Sequence, residues 1–361
     1  MIKKQDLREL VSYTGDKVVS LYLNTDLSRE SKEKCKLVLR EHLGKIDDEA
    51  LSQDLNRIER FFGFEYDWQG RGVVLFSCQA QGFWRAYSLP VPVPDGAFVA
   101  DRPHVKPLVY LADKFGSYGV VIVDRECVRM FHIRGGRVLG ESEAIGEEIK
   151  RHKQGGWSQS RYQRWVDGQA AQNLKRAAEE VVQFLKSEDC QRVIIGGTEA
   201  NLAQFQDMLP KHLQERIAGT FSVGRMTGID DILERSWEIM QRVEREEEGK
   251  LVEEMITAAR KGGLGATGLA DTLYRLHEGR VRIMLVMEGL SAPGHVCSSC
   301  GYVSAEDVPK CLFCGGEDMR PVEDAVEYAV YTAVKTGVKV EAVEESQPLE
   351  EAGGIGAILR Y

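Results

Sequence analysis

The sequence predicts a mixed α/β protein of three domains. Apolar runs of strand length alternate with helical periodicities along its 361 residues, prolines concentrate between residues 90 and 107, and a cysteine-rich insert interrupts the last α/β stretch. Alternating strands and helices are typical of layered α/β folds rather than of helical bundles or β-barrels. At roughly 100–200 residues per domain, two or three domains are expected.

The first domain is assigned to residues 1–98. Its predicted strands cover 18–23, 72–77 and 83–88, and its predicted helices cover 28–45 and 48–63. The prolines that follow are half of the 10 in the chain, namely Pro90, Pro92, Pro94, Pro103 and Pro107. Because proline fixes its own φ and extends the residue before it, this stretch is predicted to be a stiff connector or an edge segment.

The middle domain is assigned to residues 102–234 and the last domain to residues 235–361. The middle domain should contain a hairpin (118–123 and 127–132), a third strand after Gly135-Gly136, and a helix with one apolar face formed by Ala170, Leu174, Ala177, Val181 and Leu185. A long charged helix over 229–261 then leads into the last domain. Its predicted order is helix 267–276, strand 281–286, cysteine insert, helix 323–336, strand 338–343 and the terminal string 353–361.

Composition excludes several classes of protein. Hydrophobic residues make up 43% and charged residues 29%, as in ordinary globular domains. No apolar run approaches the ~20 residues needed to cross a bilayer, and the N-terminus lacks an apolar signal core, so no membrane partner and a cytoplasmic location are expected. The net charge of -9 argues against a nucleic-acid coat protein, although RNA binding depends on where the charges lie.

Two cysteine pairs form the most specific motif in the chain. Cys297-x-x-Cys300 and Cys311-x-x-Cys314 can supply four thiolates to a tetrahedral Zn²⁺ ion. All four ligand positions would come from protein, which favours a structural zinc ribbon over a catalytic site. A ribbon that has lost its metal and a redox-active dithiol are the alternatives.

A glycine-containing loop is the second candidate site. It reads Gly155-Gly156-Trp157-Ser158-Gln159 and lies in a stretch free of acidic residues until Asp167. Glycine allows close backbone approach to a ligand, and a glutamine amide can orient water without acting as acid or base. The candidate RNA contacts around the loop are Lys150, Arg151, Lys153, Trp157, Arg161 and Arg164. A disordered basic loop is the alternative.

The pattern Gly263-x-Gly265-x-x-Gly268 matches a dinucleotide-binding fingerprint. That fingerprint requires a strand directly before the glycines. Here a long charged helix precedes them, so a flexible hinge between the middle and last domains is the preferred interpretation.

The motifs, in this order, resemble those of the archaeal and eukaryotic class I peptide release factors. The resemblance rests on Gly155, Gly156 and Gln159, on the cysteine insert, and on the ending Gly353-Gly354-Ile355-Gly356-Ala357-Ile358-Leu359-Arg360-Tyr361. It implies an RNase H-like middle domain and a ribosomal-protein-like α/β/α sandwich with a zinc ribbon over 296–316. It also implies hydrolysis of peptidyl-tRNA on the ribosome, with Gly155, Gly156 and Gln159 as the catalytic loop.

Two departures qualify what the resemblance implies. Trp157 and Ser158 separate the glycines from Gln159, a spacing that looks like the branch of the superfamily acting on tRNA in stalled large ribosomal subunits. Residues 1–98 lack the Asn-Ile-Lys-Ser string with which the family reads stop codons.

The alternatives to the hydrolase function are a tRNA 3′-end nuclease on the same scaffold and a non-catalytic ribosome-binding adaptor. The expected partners are the ribosome and peptidyl-tRNA, with a translational GTPase also allowed, and the chain is expected to be a monomer.

Overall fold

The computed structural model describes residues 4–114, 116–145, 159–188 and 190–361. The chain divides into two compact units. Unit 1 combines residues 1–114 with 246–361, and unit 2 consists of residues 115–245. The mixed α/β class is confirmed, whereas the division into three domains stays a prediction.

The N-terminal part of unit 1 is a four-stranded antiparallel sheet with helices on both faces. Its elements are α1 (Lys4–Ser12), β1 (Val18–Asn24), α2 (Lys32–Gly44), α3 (Ser52–Arg60), β2 (Gly72–Cys78), β3 (Phe83–Leu89), β4 (Gly96–Ala100) and α4 (Lys106–Lys114). The strand order is β3-β2-β1-β4. Alternate residues of β1 enter two cores: Leu21 packs with α2 and α3, while Tyr22 packs with α1 and α4.

The proline-rich stretch contains an edge strand, which is one of the two predicted outcomes. β4 pairs antiparallel with β1 at the end of the sheet, with Leu21 opposite Ala97. Pro103 precedes α4, and Pro107 is the second residue of this helix. The helix was not predicted from the sequence. Proline at the start of a helix is compatible with helical geometry because the first N–H groups have no partner within the helix.

Unit 2 is built on a five-stranded sheet. Its elements are β5 (Ser117–Val123), β6 (Cys127–Arg134), β7 (Arg137–Ile145), α5 (Gln159–Ser187), β8 (Arg192–Gly197), α6 (Glu199–Met208), α7 (Lys211–Gln214) and β9 (Ile217–Ser222). The order is β7-β6-β5-β8-β9, with β5, β8 and β9 parallel and β6 antiparallel to β5. This antiparallel meander followed by parallel strands is the RNase H-like arrangement that was predicted. The apolar face predicted for α5 is buried against the sheet.

The C-terminal part of unit 1 is an α/β/α sandwich with an inserted ribbon. After α8 (Ile229–Arg260) come β10 (Gly265–Thr267), α9 (Leu269–His277), β11 (Val281–Met287), β12 (Gly294–Cys297), β13 (Val303–Ser304), β14 (Met319–Val322), α10 (Ala325–Thr336), β15 (Lys339–Val343), α11 (Gln347–Glu351) and β16 (Ile355–Leu359). The sheet order is β10-β16-β11-β15. Leu285 packs with α8 and α11, and its neighbour Met284 packs with α9 and α10.

The hinge predicted around Gly263–Gly268 is wrong. Gly265 to Thr267 form β10, which pairs with β16. A Cβ at Gly265 would lie 2.4 Å from the carbonyl oxygen of Met255, so this glycine is required for close packing against α8. Gly268 has a φ of 78° and starts α9. The glycines therefore serve a packed strand and a turn.

Within unit 1, a buried carboxylate from α10 holds the start of α4. Glu327 Oε1 accepts the N–H of Val105 at 2.7 Å, and Oε2 accepts that of Lys106 at 3.0 Å. His104 Nδ1 lies 3.3 Å from Oε2. Lys106 Nζ donates to the carbonyl oxygen of Leu290 and pairs with Asp324. Glu327 thus acts as a helix N-cap supplied by a distant part of the sequence.

Buried carboxyl groups make the stability of unit 1 depend on pH. Burial raises the pKa of Glu327, Asp113 and Glu248 to about 7 each. Because these values exceed the ordinary carboxyl range in the unfolded chain, the folded state keeps its protons longer, and stability falls as pH rises through 7. Burial also lowers the pKa of His104 to about 4, which opposes this trend only below about pH 6.5.

We therefore expect the free energy of unfolding to fall by about 1 kcal/mol between pH 6.5 and pH 8 through Glu327 and Asp113. The measurement is urea unfolding across that range, followed by circular dichroism. The double variant Glu327→Gln/Asp113→Asn should show a flatter pH dependence than the parent. Parallel pH dependences in the two proteins would contradict the assignment.

Among the described residues, no helix combines the length and apolarity needed to cross a bilayer.

Candidate functional site

The two cysteine pairs form two turns of the same geometry. In the first, the N–H of Gly301 donates to the carbonyl oxygen of Cys297 at 2.9 Å, and in the second the N–H of Gly315 donates to that of Cys311 at 3.0 Å. The two glycines have φ values of 76° and 71°, which other residues rarely adopt. Each turn therefore has the pattern Cys-x-x-Cys-Gly. These glycines were not predicted from the sequence, although a glycine directly after each cysteine pair was the available signal.

The turns bring the four thiols together. The Sγ atoms of Cys297, Cys300, Cys311 and Cys314 all lie within 4.8 Å of one another. The Cys297–Cys314 and Cys300–Cys311 pairs are 3.5 Å apart, well beyond the ~2.05 Å of a disulfide bond. Tetrahedral ligands at about 2.3 Å from a zinc ion lie nearly 4 Å apart. The four predicted ligand positions can therefore hold one metal ion.

Local hydrogen bonds favour a thiolate at Cys297, whereas burial raises the pKa of Cys300 in the same cluster. The hydrogen bond from the backbone N–H of Cys300 lowers the pKa of Cys297 to about 6. The backbone N–H of Ser299 makes a smaller contribution in the same direction. A deprotonated sulfur is the form that binds a metal. Cys297 and Cys311 are buried, whereas Cys314 is exposed.

The second turn also anchors the ribbon to α9. The ring of Phe313 lies 4.8 Å from that of Tyr274, 4.3 Å from that of His277 and 4.8 Å from that of Tyr302. The ribbon's own sheet has the order β13-β12-β14 and contains few buried apolar residues. Phe313 was not identified from the sequence, because a single aromatic residue between two ligands gives no sign of its partner.

The glycine loop connects β7 to α5. Gly155, Gly156, Lys150, Arg151, Lys153 and Trp157 lie outside the described residues. Gln159 is the first residue of α5, and Arg161 follows in its first turn. Arg164 is exposed on the same helix. The first turn of α5 carries no acidic residue. The structure therefore places Gln159 at the start of a helix. The glycines and Trp157 of the predicted loop site lie outside the described residues.

His132, on β6, is packed within unit 2. Its Nε2 lies 2.6 Å from Ser117 Oγ, and its Nδ1 lies 2.6 Å from Glu188 Oε2. The residue is 8% exposed. The network joins β5 and β6 to the residue that follows α5, which fixes the far end of the helix that Gln159 begins.

Sequence comparisons place these features among known proteins. Residues 103–247 match the family described as bacterial archaeo-eukaryotic release factor family 10. Peptide chain release factor subunit 1 of Methanobrevibacter smithii is 29% identical over 282 residues, covering 71% of this chain and 68% of that protein. The protein of the same name from Archaeoglobus fulgidus is 26% identical over 397 residues, covering 99% of this chain and 96% of that protein.

The alignments with two solved structures span nearly the whole chain. The archaeal translation termination factor has 18% identity and a TM-score of 0.27, with 100% of this chain and 99% of that chain covered. Pelota of Archaeoglobus fulgidus has 15% identity and a TM-score of 0.36, with 99% and 92% covered. The family match over residues 103–247 and the sequence relatives together support a release-factor-like family of archaeo-eukaryotic type for this chain.

Proposed function

We propose that this chain is a ribosome-associated peptidyl-tRNA hydrolase that acts in translation termination or in the rescue of stalled ribosomes. The observation that carries the proposal is the string Gly155-Gly156-Trp157-Ser158-Gln159 at the junction of β7 and α5, in a release-factor-like chain. Gly155 and Gly156 let the backbone enter a crowded RNA site. Gln159 orients water for attack on the ester that joins the peptide to tRNA.

The chemistry follows from the properties of glutamine. Its amide can donate to a developing oxyanion or accept from a water molecule, but it cannot take a proton at neutral pH. The contribution of the protein is therefore positional and electrostatic. The start of the 29-residue helix α5 adds backbone N–H groups and the positive end of a helix dipole, which favour a nearby phosphate or oxyanion.

The residues around the loop suit RNA. Lys150, Arg151, Lys153, Arg161 and Arg164 would contact phosphates, and Trp157 would stack on the tRNA end. The ribosome and peptidyl-tRNA are the proposed partners, a translational GTPase is a further one, and the working state is a cytoplasmic monomer. The proposed ion of the four-cysteine site is Zn²⁺, held for structural support of the last domain.

The test uses ribosomal complexes whose peptidyl-tRNA carries one label on the peptide and another on the tRNA. We expect the full-length protein to free the peptide and leave the tRNA intact. The variant Gln159→Ala should release peptide about 10²- to 10³-fold more slowly, the range measured when one donor to a developing oxyanion is lost.

The matched control is Gln172→Ala. Gln172 is exposed on the same helix, several turns beyond Gln159, so this variant should release peptide at the parental rate. Shortened tRNA would move the protein to the nuclease class. Equal activity of Gln159→Ala and the parent would contradict the role of the loop. Ribosome binding without release would leave the adaptor function.

A further inference from the structure

The residues after α3 form an aromatic cluster on the N-terminal part of unit 1. A π-helical turn, Phe61–Glu65, ends α3 and leads into Tyr66 and Trp68. The rings of Tyr66 and Trp68 lie 5.1 Å apart, and those of Phe62 and Trp68 lie 5.9 Å apart. Turns of π-helix are rare and occur frequently at functional positions.

Trp68 has an unusual backbone conformation. Its φ is 61°, and it is the one non-glycine residue with a positive φ among the residues that the structure describes. A bulky residue in this region is uncommon, and such conformations are concentrated at ligand-binding positions. The conformation is supported by Asp67, whose Oδ1 accepts the N–H of Gln69 at 3.1 Å. The half-buried Trp68 ring is thereby fixed in place before any ligand arrives.

Two lysines of α2 lie over this ring. Lys32 Nζ is 5.8 Å and Lys36 Nζ is 5.7 Å from the ring centroid. Arg40 is one further turn along the same helix, so the three cations follow the i, i+4, i+8 spacing of one helix face. Lys34 and Lys45 of this region instead pair with Glu30 and Glu41. Among the described residues, no carboxylate within ion-pair distance is found for Lys32 or Lys36.

A second cation lies over an aromatic ring, and a neighbouring carboxylate neutralises its charge. Arg57 lies 4.2 Å from the ring of Trp84, and its guanidinium is bound by Glu65 through two hydrogen bonds of 2.8 and 3.0 Å. Within the same segment, Phe64 is 88% exposed. The positive charge available to a ligand is therefore at Trp68, on the side of Lys32 and Lys36.

We propose that Trp68, with Lys32 and Lys36, binds an unpaired base of single-stranded RNA together with its adjoining phosphates. A fixed, half-buried indole next to positive charge is the combination by which single strands are bound without sequence preference. The base stacks on Trp68 in place of the two ammonium groups, and these move to the phosphates. This site is separate from the glycine loop of unit 2, and it does not depend on hydrolytic activity.

Binding is measured by fluorescence anisotropy with the full-length protein and a labelled eight-nucleotide single strand of RNA, over a series of salt concentrations. Trp68→Ala should weaken binding about 5- to 100-fold, the range for loss of one stacked base. Lys32→Ala/Lys36→Ala should lower the slope of log K against log salt by about 1.4, since each phosphate contact on a single strand contributes about 0.7. Both lysines lie on the surface of α2, so folding should be preserved in the double variant.

The matched control is Lys34→Ala/Lys45→Ala, which removes the same charge from the same region but spares the Trp68 ring. It should keep the parental salt slope. A photoreactive 4-thiouridine strand should cross-link to the tryptic peptide Phe61–Arg71, which contains Trp68. The variant Lys150→Ala/Arg151→Ala/Lys153→Ala distinguishes the loop of unit 2, because it should leave this cross-link intact.

Three outcomes would overturn the proposal. The first is equal binding by the two lysine double variants. The second is loss of the cross-link in the loop variant, which would make the loop the RNA site. The third is an acidic peptide that competes with RNA and shows the same dependence on Trp68, which would assign the surface to protein ligands.

Discussion

Removal of the Zn²⁺ proposed for the four-cysteine site is expected to unfold the ribbon of residues 294–322 while the sheet of β11, β15 and β16 persists. The apolar cluster around the cysteines comprises Cys297, Tyr302 and Cys311, so two of its three members are candidate metal ligands. Val296 and Val303 of the ribbon strands pack instead into the core beside α9 and α10. A structural zinc contributes about 10–16 kcal/mol of apparent binding free energy in small zinc domains. So small a cluster cannot replace that contribution.

The measurement is hydrogen exchange of the full-length protein before and after chelation, with zinc content determined in parallel. Cys311→Ser should lose the metal and the exchange protection of residues 294–322. Cys35→Ser replaces a buried cysteine in α2 and should retain one zinc per chain. Protection that survives chelation would show that the ribbon folds without a metal.

Loss of the Glu327 carboxylate is expected to be the most destabilising single change in the contact between α4 and α10. Glu327→Ala leaves the N–H groups of Val105 and Lys106 buried without their acceptor. Each orphaned donor costs about 1–3 kcal/mol, so a loss of about 2–6 kcal/mol is expected for the two donors. Glu327→Gln keeps one carbonyl oxygen and should lose roughly half as much.

The measurement is urea unfolding at pH 7, together with hydrogen exchange of the α4 amides. Glu323→Ala removes an exposed carboxylate just before the same helix and should change stability by less than about 0.5 kcal/mol. If Glu327→Ala matched Glu323→Ala, the carboxylate would have no role in holding α4.

These contacts also show which parts of the fold could be predicted from sequence. The long helix, the hairpin of β5 and β6 and the last α/β stretch could be predicted because their apolar periodicity lies within each element. α4 was missed because Pro103 and Pro107 indicated a connector. The acceptor that completes its first turn is Glu327, more than 200 residues away, and a local pattern cannot reveal it.

The candidate sites divide in the same way. The cysteines could be identified because ligand spacing is a local property of the chain. The three glycines around β10 were misread because their packing partner, the backbone of α8 at Met255, is fixed only by the tertiary structure. The Trp68 surface was missed for a related reason: Lys32 and Trp68 are far apart in sequence, and only the folded sheet brings α2 next to the end of α3.

The position of β16 has a consequence for how the protein is made. This strand lies between β10 and β11, so the last of the four strands to be synthesised completes the middle of the sheet. Until about residue 359 has left the ribosome, β10 has no neighbour and one edge of β11 is open. Unpaired strand edges and transiently exposed apolar surface promote aggregation. A nascent chain stalled between β15 and β16 would therefore carry an exposed sheet edge, and this sheet can form in full only after β16 has left the ribosome.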